Sequence, residues 1–202
     1  MVTYQNRFKK VDPLDLRIIG VDDGAFSPTK KISERALLLA VLCKQSQVQT
    51  VRIGTIEVDG TDSGDVLQTL LTRLQYDVIM LSGITFGGFN LVNLSKLART
   101  LGKPIIAISG DKPNNHAVVK ALSNHFVDWK IRCRMVRSAG KIYSCKPLRA
   151  EPKLYFEVKG TTPELARHII QGTAIISRLP EPIRIARILA RALSPLTLTI
   201  QS

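Results

Sequence analysis

The feature that most constrains this chain is a change of hydrophobic period, repeated twice, between Val66 and Ile108. Val66, Leu67, Leu70, Leu71 and Leu74 recur at the spacing of one helical face, with Ser63 placed as N-cap and Asp65 in the first turn. Asp77–Leu81 then reads as a buried strand. Leu91, Leu94, Leu97, Ala98 and Leu101 restore the helical period until Gly102 stops it, and Pro104–Ile108 is a further buried strand. Strands alternating with helices in this way call for parallel strands joined by right-handed crossovers. A right-twisted strand followed by a right-handed helix packs back onto its sheet only in that sense.

Upstream, Leu16–Val21 is an apolar run broken only by Arg17 and ended by Asp22-Asp23-Gly24. Ala36–Cys43 is apolar on both faces. Ala and Leu suit a helix as well as a strand, and the pairing context decides for a strand. Val48, Val51 and Ile53, then Ile56 and Val58 after a slip at Gly54, alternate as its antiparallel partner, with Lys44–Gln47 as the turn. Three antiparallel strands followed by parallel strands with helices on both faces is the ribonuclease H-like α/β architecture.

Downstream, a short helix is expected around His116–Leu122. Between Asp128 and Glu151 the pattern differs. Arg132 and Arg134 alternate with Ile131, Cys133 and Met135, which reads as a half-buried strand with a basic outer face. Leu154–Val158 reads as another strand, and helices are expected over Pro163–Ser177 and Ile183–Leu193. The chain is thus read as one domain, 1–202, with a basic insertion-like stretch at about 128–151.

Charge narrows the partners. Lys and Arg outnumber Asp and Glu by 29 to 16, a net +13, which favours a polyanionic partner, and nucleic acid is the commonest one. With 45% hydrophobic residues the chain can bury a core. No apolar run approaches the roughly 20 residues of a membrane span, and the polar, basic start lacks a signal-peptide core. Cys43, Cys133 and Cys145 form no CxxC pair and read as reduced thiols of a cytoplasmic protein. His116, His125 and His168 lack metal-ligand spacing. There is no GxSxG elbow, Walker loop or GxGxxG fingerprint.

Two acidic groups stand at strand ends. Asp22 and Asp23 close the first strand, and ligands of open α/β sheets gather there. Asp59, Asp62 and Asp65 lie where the third strand meets the first helix. Carboxylates converging from neighbouring strand ends are how metal-dependent nucleases hold Mg2+. The same residues also suit turn and cap chemistry.

The words RIIGVDDGAF (17–26), IEVDGTD, LSGITFGGFN and FVDWKIR resemble an archaeal endonuclease V-like family of unknown function, over nearly the whole chain. Endonuclease V itself is similar at Asp22, at Leu81-Ser82-Gly83, from Leu94 to Ile108, and at Arg178–Arg187, RLPEPIRIAR. That resemblance implies a ribonuclease H-like fold and cleavage near inosine by carboxylates holding Mg2+ or Mn2+. It makes Asp22 and Asp62 the candidate catalytic and metal-binding residues. Departures accompany it: a ligand Asp falls on Ser82, another on Arg187, and the family's Lys falls near Gly110, beside Asp111 and Lys112. The aromatic wedge falls around Arg52–Thr55, where Ile53 stands.

Two basic surfaces and a glycine-rich loop complete the candidates. Lys130, Arg132, Arg134, Arg137, Lys141 and Lys146 cluster within 17 residues, and Arg184, Arg187 and Arg191 share one helical side. Gly83, Gly87 and Gly88 would let backbone N–H groups approach a phosphate. Gly83, Gly87, Gly88, Lys112, Arg132, Arg134, Arg184 and Arg187 are therefore the candidate nucleic-acid contacts, with RNA or DNA as partner and no membrane. Three functions stay open: a nucleic-acid-binding protein with weak or lost cleavage, an active Mg2+ endonuclease with rearranged acids, and a small-molecule or protein-binding module.

Overall fold

The computed structural model describes residues 12–26 and 35–194, and the backbone of the last helix as far as Ile200; the basic start of the chain, 1–11, lies outside the described residues. The frame is a seven-stranded sheet. Its strands are β1 (Ile18–Asp23), β2 (Arg35–Lys44), β3 (Gln47–Glu57), β4 (Val78–Leu81), β7 (Ile105–Ser109), β8 (Tyr143–Cys145) and β9 (Leu154–Lys159). They lie in the order β3-β2-β1-β4-β7-β9-β8. β1, β2 and β3 are antiparallel, while β1, β4 and β7 run parallel. β9 and β8 then extend the edge antiparallel. Two-residue strands β5 (Thr85–Phe86) and β6 (Asn90–Leu91) form a separate hairpin. This mixed sheet is the ribonuclease H-like arrangement expected from the sequence; β8 was not foreseen.

Alternation along each strand divides the core into two layers. Ile19, Val21, Leu38, Ile79, Leu81 and Ile105 face one layer, where Leu67 of α1 (Ser63–Leu70) and Leu94 and Leu97 of α2 (Leu94–Leu101) cover them. Ile18, Met80, Ile106, Ile108 and Phe156 face the other. They are covered by Ala166, Ile169 and Ile170 of α5 (Pro163–Thr173) and by Ile183 of α6 (Glu181–Ile200). Gly20 sets how closely α6 approaches. A methyl there would overlap the Pro182 carbonyl and meet Ile183 N at 2.7 Å.

α3 (Asn115–His125) and α4 (Trp129–Ala139) form a helical pair against a smaller core of Leu91, Leu122, Cys133 and Val136. This corrects the strand expected from the alternation of Ile131–Met135. Arg132, Cys133, Val136 and Ala139 are the buried side, at helical spacing, and Ile131 is 53% exposed. One of the four buried positions is an arginine, so the apolar helical stripe is interrupted and the alternation of Ile131, Cys133 and Met135 dominates the sequence pattern. Smaller differences concern ends. Asp62, not Ser63, is the N-cap residue of α1, α2 is capped by Asn93 accepting from Lys96 N at 2.9 Å, and α5 stops at Thr173.

Candidate nucleic-acid site at the strand ends

Asp22 and Asp23 are consecutive on β1, so their side chains leave on opposite faces. Asp22, only 5% exposed, points into the layer of α6. Its Oδ1 accepts the Ser82 hydroxyl and the Asp23 N–H, the latter at 3.0 Å, and its Oδ2 accepts Arg187 Nε at 2.8 Å. Each carboxylate oxygen therefore has a donor, and the charge has a partner 165 residues away along the chain. The Ser82 position is fixed by its N–H donating to Val21 O at 3.0 Å, which aligns the ends of β1 and β4.

Asp23 turns toward the glycine-rich loop, where Oδ2 accepts Gly87 N at 2.6 Å. Burial pushes the Asp23 carboxyl up to about 6. The Gly87 hydrogen bond opposes that rise and the Asp22 charge adds to it. The Gly87 amide is thus already committed to a carboxylate. Gly88 sits at φ +82°, where a side chain would collide with Asp59 Oδ1, and Gly83 has φ +121°. The loop is held from below as well, since Phe89 N donates to Asp59 Oδ1 at 2.7 Å.

Asp62 belongs to a different set of contacts. Its Oδ1 accepts Asn90 Nδ2 at 2.6 Å and Glu57 N at 3.2 Å, and Arg35 Nη2 lies 3.7 Å from Oδ2. Buried Asn90 also donates to Glu57 O at 2.9 Å and accepts Ser63 N at 3.0 Å, which locks β3, α1 and the hairpin together. Asp22 and Asp62 share no partner among the described residues. Among the described residues no group of three or more His, Cys, Asp or Glu could hold a metal ion. A divalent ion needs carboxylate oxygens with open lone pairs and uncompensated charge. Oδ1 of Asp22 accepts two donors and Oδ2 accepts Arg187, whose charge compensates the carboxylate, so the residues present do not fit a bound Mg2+ or Mn2+ while that pair holds.

The cationic candidates divide sharply. Arg132 is 5% exposed and its guanidinium is spent on the fold. Nε bonds Asp128 Oδ1 at 2.8 Å, Nη1 bonds Phe89 O at 2.6 Å and Gly60 O at 3.0 Å, and Nη2 bonds Asp59 O at 2.9 Å. Arg184 grips the buried Glu181 carboxylate through Nε at 2.9 Å and Nη2 at 2.7 Å. Arg134 and Lys112 are exposed on α4 and on the turn before α3. Arg187 keeps both Nη groups unbonded among the described residues, with its side chain 36% exposed. Ile53, at the wedge position, is 51% exposed on edge strand β3.

Arg178 escaped the sequence reading as a separate residue. Its Nη1 donates to Gly110 O and Lys153 O, both at 3.1 Å, so it spans the exit of β7 and the entry of β9. Only its position at the head of the RLPEPIRIAR word could have flagged it.

The mixed sheet, with two helical layers, acids at the carboxyl end of β1 and arginines reaching the ends of β1 and β7, defines an endonuclease V-like α/β protein. The family model described as Endonuclease dU matches residues 15–194, and the chain belongs to that family. It is 36% identical over 189 residues to a UPF0215 protein of Thermococcus gammatolerans, covering 91% of this chain and 94% of the relative. A Pyrococcus furiosus UPF0215 protein is 37% identical over 183 residues, covering 88% and 92%. Among solved structures, a protein of unknown function from Archaeoglobus fulgidus superposes with a TM-score of 0.78 at 26% identity, covering 88% of this chain and 98% of that one. The Bacillus subtilis endonuclease V shares the fold at a TM-score of 0.64 and 13% identity, with coverage of 96% and 89%. Ciona intestinalis endonuclease V, in complex with a DNA containing an inosine followed by a ribo-adenosine, does so at 0.56 and 15%, with coverage of 98% and 95%. No helix among the described residues is long and apolar enough to cross a membrane.

Proposed function

We infer that this chain is an endonuclease V-like nucleic-acid-binding protein whose metal-dependent cleavage is weak or lost. The observation that carries this reading is the Arg187–Asp22–Ser82 cluster. The carboxylate best placed to serve a nuclease has its oxygens occupied and its charge paired with a guanidinium. Losing such a ligand typically costs orders of magnitude in rate. The net charge of +13 supports a nucleic-acid partner over a small-molecule or protein-binding role. The fold shared with an endonuclease V bound to inosine-containing DNA supports a deaminated base as the feature sought.

A second reading is favoured by the family description, Endonuclease dU. It is an active endonuclease acting on deoxyuridine in DNA through a rearranged acid set, with Mg2+ or Mn2+ as the ion to test. Hypoxanthine and uracil are both products of base deamination, so the two readings share a substrate class and differ in outcome.

Single-turnover incubation with Mg2+ or Mn2+ separates them, using inosine-containing, deoxyuridine-containing and plain RNA and DNA, with Asp22→Ala as control. Binding without cleavage is expected. Robust metal-dependent cleavage that disappears in the control would replace the first reading with the second. Ser82→Asp combined with Arg187→Asp should restore cleavage only in part, because Ile53 still stands at the wedge position.

A further inference from the structure

The same cluster that excludes a metal leaves cations facing outward, and their placement is specific. Arg187 reaches Asp22 through Nε alone. One carboxylate thus fixes the guanidinium while both Nη groups keep their donors. Arg178, two strands away, bonds only carbonyl oxygens. Among the described residues no carboxylate pairs with it, so its full charge persists. Both arginines lie on the layer of α5 and α6, at the carboxyl ends of β1 and β7, with β4 and Ser82 between them. Strands spaced about 4.8 Å apart put these two ends roughly 10 Å from each other.

We propose that Arg178 and Arg187 form a metal-independent phosphate track that binds the backbone of a nucleic-acid strand across the ends of β1, β4 and β7. The proposal deepens the nucleic-acid-binding reading and rests on it. A guanidinium offers the planar, multiply donating geometry that phosphate oxygens accept. Held by Asp22 on one side and by the Gly110 and Lys153 carbonyls on the other, the two groups are pre-positioned, so little side-chain entropy is lost on binding. In a metal-dependent nuclease a divalent ion would neutralise phosphate charge at such a site. In this chain the Arg178 charge and the outward Nη donors of Arg187 take that part. Binding here therefore needs no added ion.

The test is fluorescence anisotropy with labelled inosine-containing single strands and duplexes, in EDTA and in Mg2+, across a salt series. The chain should bind equally, within about twofold, with and without Mg2+. Arg178→Gln, and Asp22→Asn combined with Arg187→Gln, should each weaken binding about tenfold, as loss of a charged hydrogen bond requires. The double substitution leaves the net charge unchanged and avoids stranding a buried carboxylate. Arg178→Gln should also reduce the single-strand log–log salt slope by about 0.7, whereas the charge-neutral double substitution should leave the slope nearly unchanged. Lys44→Gln, at the opposite pole of β2, should change neither affinity nor slope appreciably. If Arg178→Gln does not fold, Arg178→Lys should lose affinity while keeping the salt slope. Binding that requires Mg2+, or variants that bind like the parent, would overturn the phosphate track and leave the broader reading standing. No binding by the parent chain in either buffer would overturn both.

Discussion

Asp22 and Asp23 are neighbours in sequence whose carboxylates serve opposite layers. Asp22 Oδ2 is joined to Arg187 Nε of the last helix at 2.8 Å, and Asp23 Oδ2 to Gly87 N of the hairpin loop at 2.6 Å. A one-residue step on one strand thus ties α6 and the glycine loop to the same point on the sheet.

The Asp22–Arg187 pair is coupled tightly enough to measure. Removing Arg187 leaves a nearly buried carboxylate without its counter-charge, an effect of about 3–5 kcal/mol for fully buried pairs. Because the arginine side chain is 36% exposed, Arg187→Ala should cost less, on the order of 2 kcal/mol. Asp22→Asn with Arg187→Ala should recover part of that loss. Urea denaturation of the four proteins of the cycle gives the coupling, and strict additivity would contradict it.

Metal affinity should appear when the arginine is withdrawn. The parent chain is expected to show no Mn2+-dependent rise in melting temperature beyond that of an Asp22→Ala control. Arg187→Ser uncovers one Asp22 oxygen and should give a rise that saturates with Mn2+. Calorimetric titration of both proteins checks this independently. A saturable Mn2+ site in the parent would show that Arg187 yields its place readily.

Nucleic-acid affinity should fall steeply with salt. About five released counterions imply a log–log slope near −4, and titration at four or more salt concentrations measures it. A slope near zero would place the +13 charge outside the binding surface.

Stability should fall as pH rises from 5 to 8. Glu157, 3% exposed in the sheet, has its carboxyl pushed up to about 7 by burial. A raised carboxyl is neutral in both states below the unfolded value. Above it only the unfolded state ionises freely, so stability declines until the pH passes the folded value. The Asp23 carboxyl, raised to about 6, acts in the same direction. For Glu157 the full change is on the order of 3 kcal/mol, or roughly 10 °C for a chain of this length. Glu157→Gln should flatten much of the decline in melting temperature, and an unchanged profile would exclude Glu157 as its source.

Arg132 is predicted to be a structural residue. Replacing it with Met removes the donors for three loop carbonyls at Asp59, Gly60 and Phe89 and leaves Asp128 unpaired. A loss of at least about 3 kcal/mol is expected. Faster hydrogen exchange in α3 and α4 should accompany it. Arg134→Met, at an exposed position, should leave stability nearly unchanged.

The sheet was largely legible because its strands bury apolar residues on both faces or alternate cleanly, and because two helical stripes separate β3, β4 and β7. The α4 helix was not legible. Arg132 occupies a core position there by satisfying carbonyls from distant loops, and no local pattern announces such partners. The site was legible only in part for a similar reason. Asp22 stands at a strand end, where function is sought first, and the family word marks Arg187 as the wrong residue for a ligand. That the two meet depends on how α6 crosses β1, 165 residues later. Asn90 and Arg178 act through backbone carbonyls and neighbouring side chains, which no spacing rule encodes.

Gly20 gives this arrangement a mechanical vulnerability. The helix carrying Arg187 rests on bare backbone at Gly20, so the missing side chain works as the zero mark of a ruler between helix and sheet. Even a single methyl there, overlapping the Pro182 carbonyl, must lift the start of α6. The lift would carry Arg187 away from Asp22 with neither residue altered. The charge state of the strand ends is thus set partly at a position with no chemistry of its own. Drift at residue 20 would change which ions the site tolerates before any acid or arginine is replaced.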